Sequence, residues 1–538
     1  MTSILWTPLF PLSELPAGQM RARHGVLVVH HPDGALSAME NACPHQGYPL
    51  STGYLQGCLV TCTWHNFKFD ARTGACVMGD EAVRLHPLRL VDGVVEVQRD
   101  RSVDVEAAWE GLRQALRRVQ MSRAAREAAR LLQGGVSATR LLGWACAWDC
   151  DHAEYTPSHT CALAAELLPW LERPPAGVDP EVHRLQMISE VLELAARASL
   201  GLPRRARPEA EAPGEPGAAA AELRRRVEAE DAAGAEALVR GMVAAGWERA
   251  ALERAFYPCL GDHLLDFGHA LIYFPRMLAL VEHCGPELAD PLLGGLIFGM
   301  VNGTREDTLP PWSGWRRRYA AWTASRGLER AAAGRARSGG GPVDEALVEL
   351  LVSGEAEQAF NALAEALERG PWEPALDALV LAGATALLRF DAKIDADPGL
   401  EEGWLDITHR YTAAVATREA VMRWSAPEAA RLVLMMGGFL GLARGLAGHP
   451  PEPAAPPPTA QLWSEVFGGR SQNAIFFAHD VKTLAAAEQE SARLGDGRTL
   501  QAAARYLRAR VQERSLRKAA VEAVALVRDG RPPKGRSG

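Results

Sequence analysis

The stretch Asn41-Ala42-Cys43-Pro44-His45-Gln46-Gly47-Tyr48-Pro49-Leu50, followed by Thr61-Cys62-Thr63-Trp64-His65-Asn66-Phe67-Lys68-Phe69-Asp70, decides how the first part of this chain reads. The pattern is Cys43-x-His45, sixteen intervening residues, then Cys62-x-x-His65. Thiolates and imidazoles are ligands for transition metals. A Cys₂His₂ zinc site is the main rival. Zinc fingers, however, group their two cysteines together and their two histidines together, whereas here each loop supplies one of each. Residues 26–29, 35–39, 59–63 and 94–98 are β-rich and punctuated by Gly, Asp and Asn. That texture predicts short strands joined by turns.

Two such loops on a small β framework resemble the Rieske family, and Phe69-Asp70-Ala71-Arg72-Thr73-Gly74 continues the likeness. The resemblance implies an all-β Rieske domain over residues 1–104. In a Rieske [2Fe–2S] cluster two thiolates hold one iron and two imidazoles the other. Its ligands here would be Cys43, His45, Cys62 and His65. High-potential respiratory members carry an extra cysteine in each loop, joined as a disulfide; the corresponding positions are Tyr48 and Trp64. Those members also place hydroxyls near the cluster sulfurs, where Phe67 and Phe69 stand here. Fewer hydrogen bonds to sulfur stabilise the reduced cluster less. The resemblance therefore implies a low potential, as in Rieske ferredoxins and oxygenases, with Cys58 and Cys76 as free structural thiols.

The chain has 538 residues, too many for one core, and a soft prior of roughly 150 residues per domain gives two to four domains. The net charge of −8 is interspersed, with no sustained Lys/Arg block. This argues against a nucleic-acid partner. No basic start followed by an apolar run opens the chain. The longest apolar runs, near 432–443 and 292–301, are shorter than the ~20 residues that span a bilayer, so we expect buried helices and no membrane association. Nine cysteines without framework spacing point to a reducing cytoplasm.

Past residue 105 the texture becomes helical and rich in Ala, Leu, Arg and Glu. The expected architecture is multidomain: the all-β domain, then a large all-α domain over 105–528. Loops are expected near 203–217, 334–342 and 449–459, and a disordered tail at 529–538. A standard Rieske oxygenase would continue with Asp/Glu-x-x-His-x₄-His on one helix. The nearest approach, Asp262-His263-Leu264-Leu265-Asp266-Phe267-Gly268-His269, has the wrong spacing.

Instead, a helical phrase beginning with histidine recurs four times, at His159, His269, His409 and His479. Asp266 and Asp406 stand three residues before His269 and His409, a spacing that puts carboxylate and imidazole on one helix face. A lone histidine at a helix start is more often a cap or polar contact than a ligand. Four in a repeated context make metal ligation or acid–base work an equal contender. Tyr273, Tyr411 and Arg276 could contact a substrate. His152, His263 and His283 have weaker context, and Lys482 and Asp480 could be surface charges.

The phrases Ser158-His159, Gly268-His269-Ala270-Leu271-Ile272-Tyr273, Thr408-His409 and Ala478-His479-Asp480-Val481-Lys482 resemble the questin oxidase-like family over roughly residues 135–510. That resemblance implies an all-helical domain inserting oxygen from O₂ into an aromatic polyketide-like ketone or quinone, as in a Baeyer–Villiger ring opening. His159, His269, His409, His479, Asp266 and Asp406 would be the catalytic residues and the ligands of a possible second metal, iron. No dinucleotide or Walker motif appears. Electrons from NAD(P)H would thus arrive through a separate reductase or ferredoxin. Two alternatives stand beside this monooxygenase reading. One is a ferredoxin-type carrier with a helical docking module; the other is a metal-free helical oxygenase with a redox-sensing Rieske domain.

Overall fold

The computed structural model describes residues 6–79, 81–98, 103–337, 341–396, 402–448, 455–468 and 473–509, with residues 520, 523, 524, 527 and 528 beyond them. The expected tail at 529–538 and parts of two expected loops, 338–340 and 449–454, lie outside the described residues. The chain folds as two compact units, residues 1–141 and 142–538.

In the first unit the strands are β1 (Trp6–Pro11), β2 (Gln19–Arg23), β3 (Val26–His30), β4 (Leu36–Glu40), β5 (Tyr54–Gln56), β6 (Leu59–Thr61), β7 (Lys68–Asp70), β8 (Leu88–Val91) and β9 (Val94–Gln98). They form three antiparallel three-stranded sheets in the orders β1-β9-β8, β2-β3-β4 and β5-β6-β7. Strand β3 shows why two layers share one core strand. Its side chains alternate: Val26 and Val28 pack with Phe10, Val95 and Val97, while Leu27 and Val29 pack with Met39, Val60 and Phe69. The second cluster also holds Cys43 and Cys62. Asp92 and Gly93, both in the left-handed region, form the β8–β9 turn.

Helix begins at Val105, where the Asp104 side chain accepts the Ala107 N–H at 3.0 Å. The helices Val105–Arg117 and Met121–Gln133 fall within the first compact unit with the strands.

The second unit is helical. Residues 202–214 carry no regular structure, as the Pro-rich composition suggests. They are nonetheless tied down: Arg205 pairs with Glu236, and Arg207 with Asp151 and Asp290. The apolar stretch Ala429–Leu446 is long and apolar enough by composition to cross a membrane, with mean hydropathy 1.4, yet 61% of it is buried inside this unit.

Four helices define the centre: Thr160–Leu167, His269–Cys284, Trp404–Arg423 and Ala474–Leu494. Each packs on two of the others, closing a ring. His159, His269 and His409 meet at one level of this ring, and Glu166, Arg276 and Glu419 meet at another, about two to three turns on. These three helices therefore run in the same sense.

Candidate functional site

The first site lies on two matched loops. In one, the Cys43 N–H donates to the Tyr48 carbonyl at 2.8 Å and the Gly47 N–H to the Cys43 carbonyl at 2.7 Å. In the other, the Cys62 N–H donates to the Phe67 carbonyl at 2.8 Å and the Asn66 N–H to the Cys62 carbonyl at 3.1 Å. The turn needs a left-handed residue at the same place in each loop, supplied by Gly47 (φ 82°) and Asn66 (φ 60°). This repetition carries both cysteines into the core and leaves His65 exposed. His45 Nδ1 and His65 Nδ1 lie 3.3 Å apart, with their rings edge to face. Two converging imidazole nitrogens beside two buried thiols match the donor set of a [2Fe–2S] centre with one iron on each pair.

Tyr48 and Trp64 stack on each other with centroids 4.3 Å apart. Where respiratory relatives would join the loops by a disulfide, an aromatic pair joins them here. Phe67 stacks on His45 at 4.7 Å and offers no hydroxyl. Arg126, from the helix Met121–Gln133, donates to the Pro44 carbonyl between two ligand positions. Nothing in its sequence context distinguishes it from the other arginines of that helix.

The second site lies in the helical ring. His269 Nε2 and His409 Nε2 are 2.8 Å apart. The His159 ring lies 4.7 Å from that of His269 and 4.7 Å from that of His479, and the His409 and His479 rings are 4.6 Å apart. One nitrogen from each of His159, His269 and His409 falls within 4.8 Å of the others. His269, His409 and His479 are buried, and among the described residues the buried His159 Nε2 has no hydrogen-bond partner.

Hydrogen bonds set the tautomers of two of these rings. The His269 Nδ1–H donates to Asp266 at 2.9 Å. The Thr408 hydroxyl donates to the Leu405 carbonyl at 2.7 Å, so its oxygen is left to accept the His479 Nδ1–H at 3.0 Å. Both rings thereby keep an Nε2 lone pair. Burial, reinforced by Lys482 and the neighbouring imidazoles, pushes His159, His409 and His479 well below the ordinary 6.5. Burial also lowers His269, against the pull of Asp266. Neutral imidazoles with converging lone pairs form a ligand set for a transition-metal ion.

The segment before His269 is strained to bring this about. Asp266, Phe267 and Gly268 are consecutive left-handed residues, with φ of 46°, 59° and 87°. The Asp266 N–H donates to the Thr304 carbonyl at 2.9 Å and the Phe267 N–H to the Glu306 carboxylate at 3.1 Å. Phe267 is thereby laid against the His409 ring at 5.6 Å, while Tyr273 stacks on His269 at 5.2 Å.

Asp406 differs from Asp266. It sits in the first turn of its helix, and its carboxylate accepts the Gly403 N–H at 2.8 Å, as a cap does. Tyr411 is buried beside Glu490. Arg276 bridges Glu166 and Glu419. His152 bonds the Trp148 carbonyl, His263 lies between Asp307 and Glu228, and His283 bonds the Ala279 carbonyl; none joins the histidine cluster.

Lys482 and Asp480 are buried, contrary to their reading as surface charges. Their helix is one wall of the ring: Lys482 faces its interior beside Glu166, Arg276 and Thr412, while Asp480, two residues earlier and on another face, lies against the buried Tyr506. Among the described residues the Lys482 ammonium has no hydrogen-bond partner, and burial pushes it down to about 7, helped by Arg276 and opposed by Glu166. A cavity of about 10 Å³ lies among Lys482, Glu166, Arg276 and Thr412, room for one water.

Comparison with known proteins bears on the first unit. Residues 5–89 match the Rieske [2Fe-2S] domain family. The anthranilate 1,2-dioxygenase ferredoxin subunit of Burkholderia cepacia is 38% identical over 98 residues, 17% of this chain and 90% of that protein. The 4beta-methylsterol monooxygenase of Methylococcus capsulatus is 35% identical over 81 residues, 14% of this chain and 19% of the relative. The solved Sphingomonas yanoikuyae B1 ferredoxin aligns at 23% identity over 18% of this chain and 98% of its own, with a TM-score of 0.17. Through its first ninety or so residues, with Cys43, His45, Cys62 and His65 in the cluster loops, the chain belongs to the Rieske [2Fe–2S] family.

Proposed function

We propose that the chain is a Rieske-dependent oxygenase whose helical unit holds a second metal, iron, on His159, His269, His409 and His479. The carrying observation is the meeting of the nitrogens of His159, His269 and His409 from three helices, with the His479 ring of a fourth helix packed against those of His159 and His409, and with His269 and His479 each held in one tautomer by a hydrogen bond. A docking module has no need of such convergence, which weighs against a simple electron carrier.

In this reading Cys43, Cys62, His45 and His65 hold the cluster, which supplies electrons one at a time. Asp266 orients His269 through Nδ1, as carboxylates behind metal-bound imidazoles do. Phe267 and Tyr273 pack against the His409 and His269 rings and shield them from water. Asp406 stays in the proposal through its helix, holding the turn that leads to His409. The substrate is a small organic molecule. The questin oxidase-like resemblance favours oxygen insertion from O₂ into an aromatic polyketide-like ketone or quinone.

A reductase or ferredoxin drawing on NAD(P)H completes the electron supply in this reading; the Burkholderia cepacia relative is itself named as the ferredoxin subunit of a dioxygenase. Nine cysteines free of disulfides suit the cytoplasm. The test is iron analysis of protein purified without oxygen. We expect iron beyond the cluster's own, lost in His269→Ala while the cluster's spectrum persists. Wild-type protein with cluster iron alone and full turnover would favour the metal-free alternative.

A further inference from the structure

A cavity of about 550 Å³ opens in the helical unit between the helix Ala429–Gly441, the turns Pro310–Trp312 and Arg444–Leu446, and the helices Ser313–Ala324 and Ala356–Arg369. The clustered histidines do not line it. Its walls include the rings of Trp312, Trp315 and Phe360. The Trp315 indole N–H donates to the Leu434 carbonyl at 2.9 Å, which fixes the ring. The volume and the apolar lining are those of a small-molecule site.

Two guanidiniums enter this apolar hollow, Arg318 and Arg444. Among the described residues neither forms an ion pair or a hydrogen bond to a side chain or carbonyl, and the buried Nε of each has no partner. Three other arginines of the unit are matched in ion pairs. Arg276 has Glu166 and Glu419, Arg207 has Asp151 and Asp290, and Arg226 has Glu211 and Glu222. Burial lowers both guanidiniums; Glu357 acts on Arg318 against Arg317 and Arg444, and Glu355 acts on Arg444, yet neither carboxylate forms an ion pair with them among the described residues. One carboxylate, Glu402, lines the cavity and has an interaction of its own. Two guanidiniums that line one largely apolar cavity and form no ion pair among the described residues are open to an anionic ligand, which would hydrogen-bond both.

We propose that this cavity binds an organic carboxylate with an aromatic body, its carboxylate held by Arg318 and Arg444 and its ring against Trp312, Trp315 and Phe360. The planar guanidinium fork matches a carboxylate, and the indole and phenyl faces match a ring. The site is separate from the histidine chamber and does not depend on the oxygenase reading.

The test is calorimetric titration of the full-length protein with 2-naphthoate, and with 2-naphthamide as the uncharged analogue. We expect one-site saturation with naphthoate, about tenfold tighter than with the amide. Arg318→Gln and Arg444→Gln should each weaken naphthoate about tenfold, the scale of a lost charged hydrogen bond, and leave the amide unchanged. Gly441→Leu, whose side chain would project beside the Arg444 guanidinium, should block both ligands. His269→Ala should leave naphthoate affinity unchanged. Three results would overturn the proposal: no saturable binding up to millimolar naphthoate, equal affinity for acid and amide, or loss of binding in His269→Ala.

Discussion

The two histidine-bearing sites treat solvent in opposite ways. On the cluster loops the cysteines are buried and His65 is exposed. In the helical ring His269, His409 and His479 are buried, and even the His159 Nε2 is sealed. An electron inlet needs one edge open to a partner, because electron transfer falls off with distance. A chamber that handles an organic substrate and O₂ gains from excluding water, which strengthens every electrostatic contact inside it. The architecture suits the proposed roles: a β framework can present a turn tip at its surface, whereas four helices in a ring hide their inner faces.

The sharpest way to break this comparison is to disable each site alone. His45→Ala should abolish substrate turnover driven by the electron donor, while iron in the helical unit stays. His409→Ala should do the reverse: the cluster is still reduced by its donor, but bound iron and product are lost. Electronic absorption for the cluster, iron analysis and product formation read the two arms. If His409→Ala retains full turnover, the histidine ring is scaffold.

The second prediction concerns pH. A proton competes with a metal for the imidazole lone pair. A ligand with the ordinary histidine value loses affinity up to about tenfold per pH unit below 6.5. Here burial holds His159, His409 and His479 well below 6.5 and lowers His269. They are already deprotonated at neutral pH, so metal affinity should be nearly flat from pH 7.5 to 6.5. It should fall only when the pH drops through the depressed values. Competition titration with a chelator at fixed ionic strength measures this. A steep loss beginning at pH 7 would show the site to be open to water.

The same contrast explains what could be read from residues alone. The cluster ligands stand within 23 positions of one another on two turns (Cys43 to His65), and their order, Cys then His in each loop, is itself the chemistry. The proposed helical ligands span residues 159 to 479, and only the repeated histidine at a helix start betrays them. The all-β then all-α order was legible because period-2 runs give way to helical periodicity near residue 105. What stayed hidden depends on packing between distant segments. Lys482 reads as a surface charge because helix polarity alone does not reveal a ring with a polar interior. Asp406 and Asp266 share one spacing, yet one caps a helix and the other orients an imidazole. The difference is the left-handed run of Asp266–Gly268, which rests on Thr304 and Glu306.

That run gives the third prediction. A Cβ at Gly268 would stand 2.9 Å from the Ala413 Cβ, at a φ of +87°. Gly201, at +76°, has open space around its Cβ position. Gly268→Ala should cost about 1–3 kcal/mol in urea unfolding and weaken metal binding, whereas Gly201→Ala should cost about 1 kcal/mol and leave the metal alone. Equal costs at the two positions would mean that the segment before His269 is not tightly held.

The smallest expected effect sharpens the inlet side. Arg126 places a cation against the first cluster loop through the Pro44 carbonyl. Reduction adds an electron to the cluster, so a nearby cation favours the reduced state and raises the potential. Phe67 and Phe69 act in the other direction by offering no hydroxyl to the sulfurs. The wild-type potential should therefore lie below about +150 mV, in the lower part of the Rieske range. Arg126→Gln should lower it further by tens of millivolts, where about 59 mV corresponds to a tenfold change in the ratio of reduced to oxidised cluster. Gln can still donate to the Pro44 carbonyl, so a drop that persists in Arg126→Gln but not in Arg126→Lys is electrostatic. A potential unchanged in both, measured by EPR-monitored redox titration, would reduce the helix Met121–Gln133 to a brace for the loop and leave the aromatic lining as the main control on the cluster.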